Sequence, residues 1–345
     1  MDGKLRIGII GLGAVSGAHL AAFKSNPSAE LIAICDQDEK WLEHSKQEHG
    51  AKYAFNTWAE LIACEELDAV SVCLPTGFHA AVSVAALKAG KHVLCEKPMA
   101  VNAVEAQQMA DAARESGNTL MISYNQRFGS DIQYLKRWID EGGLGEVYFV
   151  RTGWRRPMGF FPGPGVMRAT GEYSRNWFNE KCKGGGVCMD LGSHVVDLAM
   201  YLMGFPKVKQ VVGCAYTKFL PRILEDAGVT CDADDHSVAF IKFENGASMQ
   251  FEASFGSFVE KEEIFQAIYG DKGGAKRVVG EPVKLFSTTA GAYTTVHPRI
   301  DIPSVTPMDH FVQYVLEGRT PIATPEQGVM VTALLERIYT SSMEG

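Results

Sequence analysis

The chain has 345 residues, 46% of them apolar and 21% charged, an ordinary globular balance that excludes disordered, collagen-like and coiled-coil classes. Its formal net charge of -8 speaks against bulk nucleic-acid binding, which needs a basic surface. Eight scattered cysteines without a Cys-x-x-Cys pair are neither a disulfide framework nor a zinc site, so a reduced, cytoplasmic protein without metal is expected.

The N-terminus runs from Met1 straight into an apolar stretch, so no signal peptide is expected. Residues 5–10 form a continuous apolar run, followed by a glycine loop and a helical stretch to Phe23. Residues 31–35 form a second run, with a polar helix over 38–49 behind it. A third run, 69–74, stops at Pro75 ahead of a helix over 80–88 that Gly90 ends. The stretch 70–87 carries no charge, but Pro75, Gly77 and His79 break it, so no membrane span is expected. Runs at 92–95 and 119–123 flank a helix over 103–115. Short runs that are apolar throughout are what strands buried on both faces of a parallel sheet require. Right-handed crossovers then make this α/β half, placed at residues 1–124, a doubly wound Rossmann domain.

Beyond it the pattern changes. A helix over 132–139 ends at Gly142-Gly143, and a strand starts over 146–152. Further strands are expected over 208–216, 237–243, 247–255 and 265–269, and Glu244-Asn245-Gly246 predicts a tight hairpin. One long helix, 187–203, interrupts them, and helices over 309–317 and 326–343 finish the chain. The second domain, 125–345, therefore reads as α+β with a large open, mainly antiparallel sheet, its C-terminal helices 309–343 near the domain junction.

The first loop carries Gly11, Gly13, Ala14, Val15 and Ser16, where a tight turn and a helix N-terminus suit a pyrophosphate. Ser16 stands where the third glycine of Gly-x-Gly-x-x-Gly is usual, with Gly17 one place later. Asp36 ends the second strand, where a carboxylate accepts bonds from ribose hydroxyls and repels a 2′-phosphate, so NAD is expected over NADP. Its alternative role is to cap the helix that starts near Asp38.

Three more strand ends face the same side, where open α/β sheets bind ligands. They offer Pro75, Thr76 and His79, then Glu96, Lys97 and Pro98, then Asn125 as cofactor candidates, and Arg127 as a substrate candidate. A structural role is open for His79 and His236, and a packing role is expected for His19.

In the helix over 187–203, Leu191, Val195, Leu198 and Leu202 make an apolar face, with Asp190, His194 and Asp197 beside it. Polar side chains in so apolar a helix need partners or a wet cleft. A histidine near neutrality suits the removal of a hydroxyl proton. Asp197 is expected to be a buried acid bonded to backbone. Between 151 and 183 seven basic residues meet only two acids, interleaved with aromatics that include Trp154, Tyr173 and Trp177. This segment reads as a wall of a sugar pocket, with Trp154, Arg155 and Trp177 as substrate candidates, or equally as a subunit contact. Its charge tilts the expected substrate towards an acidic or phosphorylated group.

Glu96-Lys97-Pro98, with the glycine loop before it and Gly185-Gly186-Val187-Cys188-Met189-Asp190-Leu191-Gly192-Ser193-His194 after it, resembles the Gfo/Idh/MocA family of inositol and sugar dehydrogenases. The resemblance covers nearly the whole chain. It implies an NAD(P)-dependent oxidoreductase that moves hydride between nicotinamide and a secondary hydroxyl or ketone of a sugar, cyclic polyol or derivative. It also implies that Lys97 lies beside the nicotinamide, that Lys97–Pro98 is cis, and that His194 is the base. Asp190 would bind substrate hydroxyls or orient the imidazole, and the second-domain sheet would build a homodimer or homotetramer. Two other readings stay open: a non-catalytic dinucleotide-sensing regulator on the same fold, and an NAD-dependent glycosidase with a transient redox step.

Overall fold

The computed structural model describes residues 3–158, 180–225 and 231–344. The first half alternates strands and helices: β1 (Leu5–Ile10), α1 (Ser16–Ser25), β2 (Ala29–Cys35), α2 (Glu39–His49), β3 (Tyr53–Phe55), α3 (Trp58–Ile62) and β4 (Ala69–Val72). It continues with α4 (His79–Lys88), β5 (His92–Cys95), α5 (Ala103–Ser116) and β6 (Leu120–Ile122). The strands form one parallel sheet in the order β3-β2-β1-β4-β5-β6. Every residue of β1 except Arg6, and every residue of β4, is buried, which explains why these runs are apolar apart from Arg6 and Ser71. The order reverses between β2-β1 and β4, so the loops after β1 and β4 diverge and leave a crevice at their carboxyl ends.

The second half contains α6 (Ser130–Asp140), β7 (Val147–Pro157), α7 (Ser193–Met203), β8 (Val208–Tyr216), α8 (Leu220–Glu225), β9 (His236–Phe243) and β10 (Ser248–Ser257). Then come β11 (Glu263–Gly270), β12 (Gly273–Val278), β13 (Lys284–Thr289), β14 (Ala292–Val296), α9 (Pro307–Glu317) and α10 (Pro325–Glu344). Its eight-stranded sheet runs β14-β13-β12-β11-β7-β10-β9-β8 and is antiparallel except for the interior pair β7 and β10. The Asn245-Gly246 hairpin joins β9 to β10, with Gly246 at a φ of 90°. In β9 buried Ser237, Ala239, Ile241 and Phe243 alternate with outward residues, so helices cover one face of this sheet. On that face α7 packs against β7 and β11, while α10 packs against β8 and reaches α5 of the first half. No described helix is long and apolar enough to cross a membrane.

Six elements escape a reading by apolar runs, the short helix α8 among them. β3 and α3 are short, and β13 and the edge strand β14 are Ser- and Thr-rich with little buried surface. β12, Gly273–Val278, carries two glycines and two basic residues and is equally inconspicuous. The single helix expected over 187–203 is a correction of another kind. Residues Cys188–Gly192 form a π turn, and the α-helix begins only at Ser193. The widened turn is held locally: Ser193 Oγ donates to the Asp190 carbonyl at 2.9 Å, and the Cys188 N–H donates to Asp234 Oδ2 at 3.0 Å. Such single π turns recur at functional sites.

Candidate active site

The dinucleotide end is built from β1, the glycine loop and α1. Gly11 sits at a φ of 90°, and a Cβ there would come within 2.6 Å of the Cys73 carbonyl oxygen, so only glycine makes this turn. A Cβ on Gly13 would meet nothing within 4 Å, so the space beside its backbone is open on the protein side. Ser16 is buried and its hydroxyl donates to the Gly13 carbonyl at 2.7 Å, fixing the loop where a third glycine is usual. No side chain caps α1 and its first turn holds no acid, so the positive end of the helix is not neutralised. Ala14 and Val15 are exposed at that end. Asp36 accepts from the Leu12 N–H at 2.9 Å and from the Asp38 N–H at 3.0 Å, tying the second strand to the loop. The cap of α2 is Asp38, which accepts from Trp41 N–H, so the capping alternative for Asp36 falls away. These features fit a dinucleotide diphosphate with a ribose beside Asp36.

Lys97 follows β5 in the Glu96-Lys97-Pro98 turn, whose Lys97–Pro98 peptide is cis. Its Nζ donates to Asp190 Oδ1 at 2.6 Å and reaches the Asp190 carbonyl at 3.5 Å. The two side chains keep 14% and 12% exposure, so the pair is at the edge of a cleft and not sealed in the core. His194 lies one turn further along, in the first turn of α7. Its Nδ1 is buried and has no partner among the described residues. Burial, then the cations Lys97 and Arg156, push its pKa well below the ordinary value, so the ring is neutral. A neutral imidazole with an ammonium close by, itself held by a carboxylate, can accept a hydroxyl proton while the ammonium steadies the oxygen. Trp154 covers the imidazole, ring centres 5.5 Å apart, and its Nε1 donates to Glu262 Oε1 at 2.8 Å. Arg156 bonds the same carboxylate at 3.0 Å and lies over the Trp154 ring.

Several expected site residues belong elsewhere. Arg127 is fully buried and donates from Nε and Nη2 to Asp197 at 2.9 and 2.5 Å, and from Nη1 to the Ile322 carbonyl and Gln327. Four of its five N–H groups are engaged and the side chain has no exposure, so it locks the start of the second domain to α7 instead of meeting substrate. The same pair corrects Asp197, whose partner is a guanidinium and not backbone. His79 is fully buried against two backbone carbonyls, Pro98 at 2.8 Å and Leu74 at 2.7 Å, out of reach of a cofactor. Thr76 is buried beneath Gly184, where a Cβ would come within 2.6 Å of Thr76 Cβ. Arg155 points to the opposite face of the sheet from Trp154, as neighbours on a strand must, and pairs there with Glu263 and, at 3.9 Å, Glu252. The tilt towards an acidic substrate therefore loses its described support, since Arg155 and Arg156 are both engaged by carboxylates. Pro75 is half-buried and Asn125 exposed at the strand ends, while Glu96 is turned inward onto His19. Trp177 and Tyr173 lie outside the described residues.

The sequence reading missed Asp234. It accepts from the Tyr339 hydroxyl at 2.6 Å, from Ser237 Oγ at 2.6 Å and from the Cys188 N–H, and so anchors the π turn that carries Asp190. Gly186 packs so tightly on it that an added Cβ would come within 2.0 Å of Oδ1. Nothing in the local sequence marks this acid, because its partners come from α10 and from the turn before α7.

Residues 5–124 match the family described as "Oxidoreductase family, NAD-binding Rossmann fold", and residues 136–345 match "Oxidoreductase family, C-terminal alpha/beta domain". D-glucoside 3-dehydrogenase of Escherichia coli K12 is 30% identical, over 99% of this chain and 96% of its own. Myo-inositol 2-dehydrogenase of Thermotoga maritima is also 30% identical, over 70% of this chain and 66% of its own. The crystal structure of an oxidoreductase domain protein from Kribbella flavida superposes with a TM-score of 0.86 at 25% identity, covering 99% of this chain and 98% of that one.

Proposed function

Because the chain belongs to the Gfo/Idh/MocA oxidoreductase family, we propose that it oxidises a secondary hydroxyl of a sugar or cyclic polyol, or reduces the corresponding ketone, with Lys97, Asp190 and His194 as its catalytic set. The chain is an NAD-binding oxidoreductase acting on a carbon–oxygen centre. NAD, when bound, supplies the hydride acceptor. The residues that would hold it are Gly11, Gly13, Ala14, Val15 and Ser16 at its diphosphate and Asp36 at a ribose.

The observation that carries the reading is the Lys97–Asp190 pair beside a neutral His194 with an unpartnered nitrogen. In the oxidative direction His194 takes the hydroxyl proton. Lys97 stabilises the negative charge growing on that oxygen, and Asp190 holds the ammonium in place and accepts from a neighbouring hydroxyl. Trp154 offers an apolar face against which a sugar ring can stack. The relatives named above are dehydrogenases, which leaves the sensor and glycosidase readings without support.

The division at residues 124 and 125 is part of the same proposal: the nucleotide half supplies Lys97, the sheet half Asp190 and His194. The uncovered face of the eight-stranded sheet, with exposed Val212, Tyr216 and Phe240, is proposed to pair with a second copy in a homodimer or homotetramer. Phe240→Glu should then lower the sedimentation coefficient.

The test is a screen of glucosides, free sugars and inositols with NAD and with NADP, read by absorbance of the reduced cofactor. Turnover of at least one neutral polyol or sugar with NAD is expected. No reduction with any of them would overturn the reading.

A further inference from the structure

The turn that carries Lys97 is held from two sides by buried imidazoles. On one side His19, from α1, is 1% exposed. Its Nε2 lies 3.0 Å from Glu96 Oε1 and its Nδ1 2.8 Å from Ser71 Oγ on β4. The other Glu96 oxygen accepts from the Lys97 backbone N–H at 3.2 Å. On the other side His79, the first residue of α4, places Nδ1 2.8 Å from the Pro98 carbonyl and Nε2 2.7 Å from the Leu74 carbonyl. Residues 96, 97 and 98 are therefore each tied, directly or through one carboxylate, to an imidazole that has no open space of its own.

A buried polar ring is unfavourable unless partnered, and an apolar side chain would fill the same volume at less cost. Two such rings converging on one three-residue turn call for a reason, and the turn's chemistry supplies it. A lysine stem is long and flexible, so its ammonium is placed only as well as its backbone is. An error of about 1 Å in a catalytic group can cost on the order of 100-fold in rate. Burial opposes charge on His19, but the Cys73 sulfur and the Glu96 carboxylate outweigh it and raise the ring to about 10, which keeps the link to Glu96 charged at neutral pH.

We propose that His19 and His79 are positioning residues for Lys97, His19 acting through Glu96 and His79 through the Pro98 carbonyl. The inference rests on the reading of Lys97 as a catalytic group, and its test is chosen to stand apart from turnover. Competitive acetylation of the full chain with acetic anhydride, followed by mass spectrometry, reports the reactivity of every lysine with no substrate present. In His19→Ala and His79→Ala, labelling of Lys97 should rise at least fivefold relative to Lys24 and Lys88, because the ammonium leaves Asp190 more often. With the best substrate from the screen, kcat should fall 10- to 100-fold while KM for NAD stays within threefold, and His79→Gln should restore part of the loss. Labelling and kcat both within twofold of the parent would overturn the proposal. So would a uniform rise at all lysines, which reports a loosened fold. Should the alanine variants not fold, Glu96→Gln and His79→Phe are measured under the same limits. If no substrate is turned over by the parent protein, the labelling still decides the clamp.

Discussion

Two cation–aspartate pairs converge on one stretch of this chain, and they differ in nearly everything except composition. Lys97 of the nucleotide half meets Asp190 in the π turn, and Arg127, just past the division at 124 and 125, meets Asp197 in α7. The Arg127–Asp197 pair has 0% and 1% exposure, and the guanidinium's Nη1 is taken by the Ile322 carbonyl and Gln327. The Lys97–Asp190 pair keeps a share of solvent, and the next turn holds an imidazole whose buried Nδ1 has no partner among the described residues. A site that is complete has a structural task, whereas one left with unused polar atoms at a cleft is waiting for a ligand. That difference separates chemistry from scaffold better than residue type does.

Removing one member of each pair should break the comparison cleanly. Lys97→Ala is expected to lower kcat about 10³- to 10⁴-fold, or about 4–5.5 kcal/mol of transition-state stabilisation. NADH binding followed by fluorescence should stay within a few-fold, with little change in melting temperature. Arg127→Met should do the reverse. It strands the Asp197 carboxylate in the core, where burial already raises its pKa, and should cost about 3–5 kcal/mol in urea unfolding. The Michaelis constants of whatever Arg127→Met protein remains folded should be nearly unchanged. If Arg127→Met kept its stability and lost substrate affinity, Arg127 would return to the substrate site.

Asp36 gives a smaller effect that sharpens the same contrast, since it is an acid that binds both scaffold and ligand. Asp36→Ala removes the repulsion of a 2′-phosphate and the acceptor for the ribose, so the NAD to NADP ratio of kcat/KM should fall about tenfold or more, about 1.4 kcal/mol. An unchanged ratio in a folded variant would confine Asp36 to the two backbone bonds it makes in the loop.

These contrasts show where the sequence was legible. The parallel sheet, the glycine loop and the strand-end motifs announce themselves because burial on both faces forces unbroken apolar runs and because ligands collect at carboxyl ends. Arg127 and His79 also stand at strand ends, so position alone could not separate them from Lys97; only the third dimension brings Asp197 and the Pro98 carbonyl to them. Asp234 was invisible for the same reason. Arg155 is a different failure, since its parity with Trp154 on one strand already required it to face away. The outermost strands on one side of the sheet, β13 and β14, were lost because exposed Ser and Thr leave no periodic signal.

The state of His194 can be tested by pH. Its pKa lies well below the usual 6.5, from burial first and then the neighbouring cations, so the folded enzyme keeps the neutral base at pH values where the unfolded chain binds a proton. The sign follows: activity should hold as pH falls through the ordinary histidine range, while stability declines below about 6.5 as the unfolded state gains protons. Between pH 7 and 6, kcat/KM should change less than about twofold, whereas an unperturbed histidine would be about three-quarters protonated at the lower value. An acid limb near 6.5 that His194→Asn abolishes would show a solvated ring and undo the description of the site.

The smallest effect belongs to a third kind of pair, neither sealed nor poised. Arg155 meets Glu263 and Glu252 on the uncovered face of the sheet, with side chains 33%, 28% and 27% exposed. Solvent screens such a contact, and exposed ion pairs contribute about 0–1 kcal/mol. Arg155→Gln should therefore leave kcat/KM within about twofold for neutral sugars and sugar acids alike, and lower stability by less than about 1 kcal/mol. A tenfold loss confined to sugar acids would mean that this guanidinium reaches the bound substrate, against the alternation that aims Trp154 at His194 and Arg155 away from it. The sheet would then have to be read as presenting both faces to one pocket, and the division between scaffold and chemistry drawn from the two buried pairs would fail at its nearest strand.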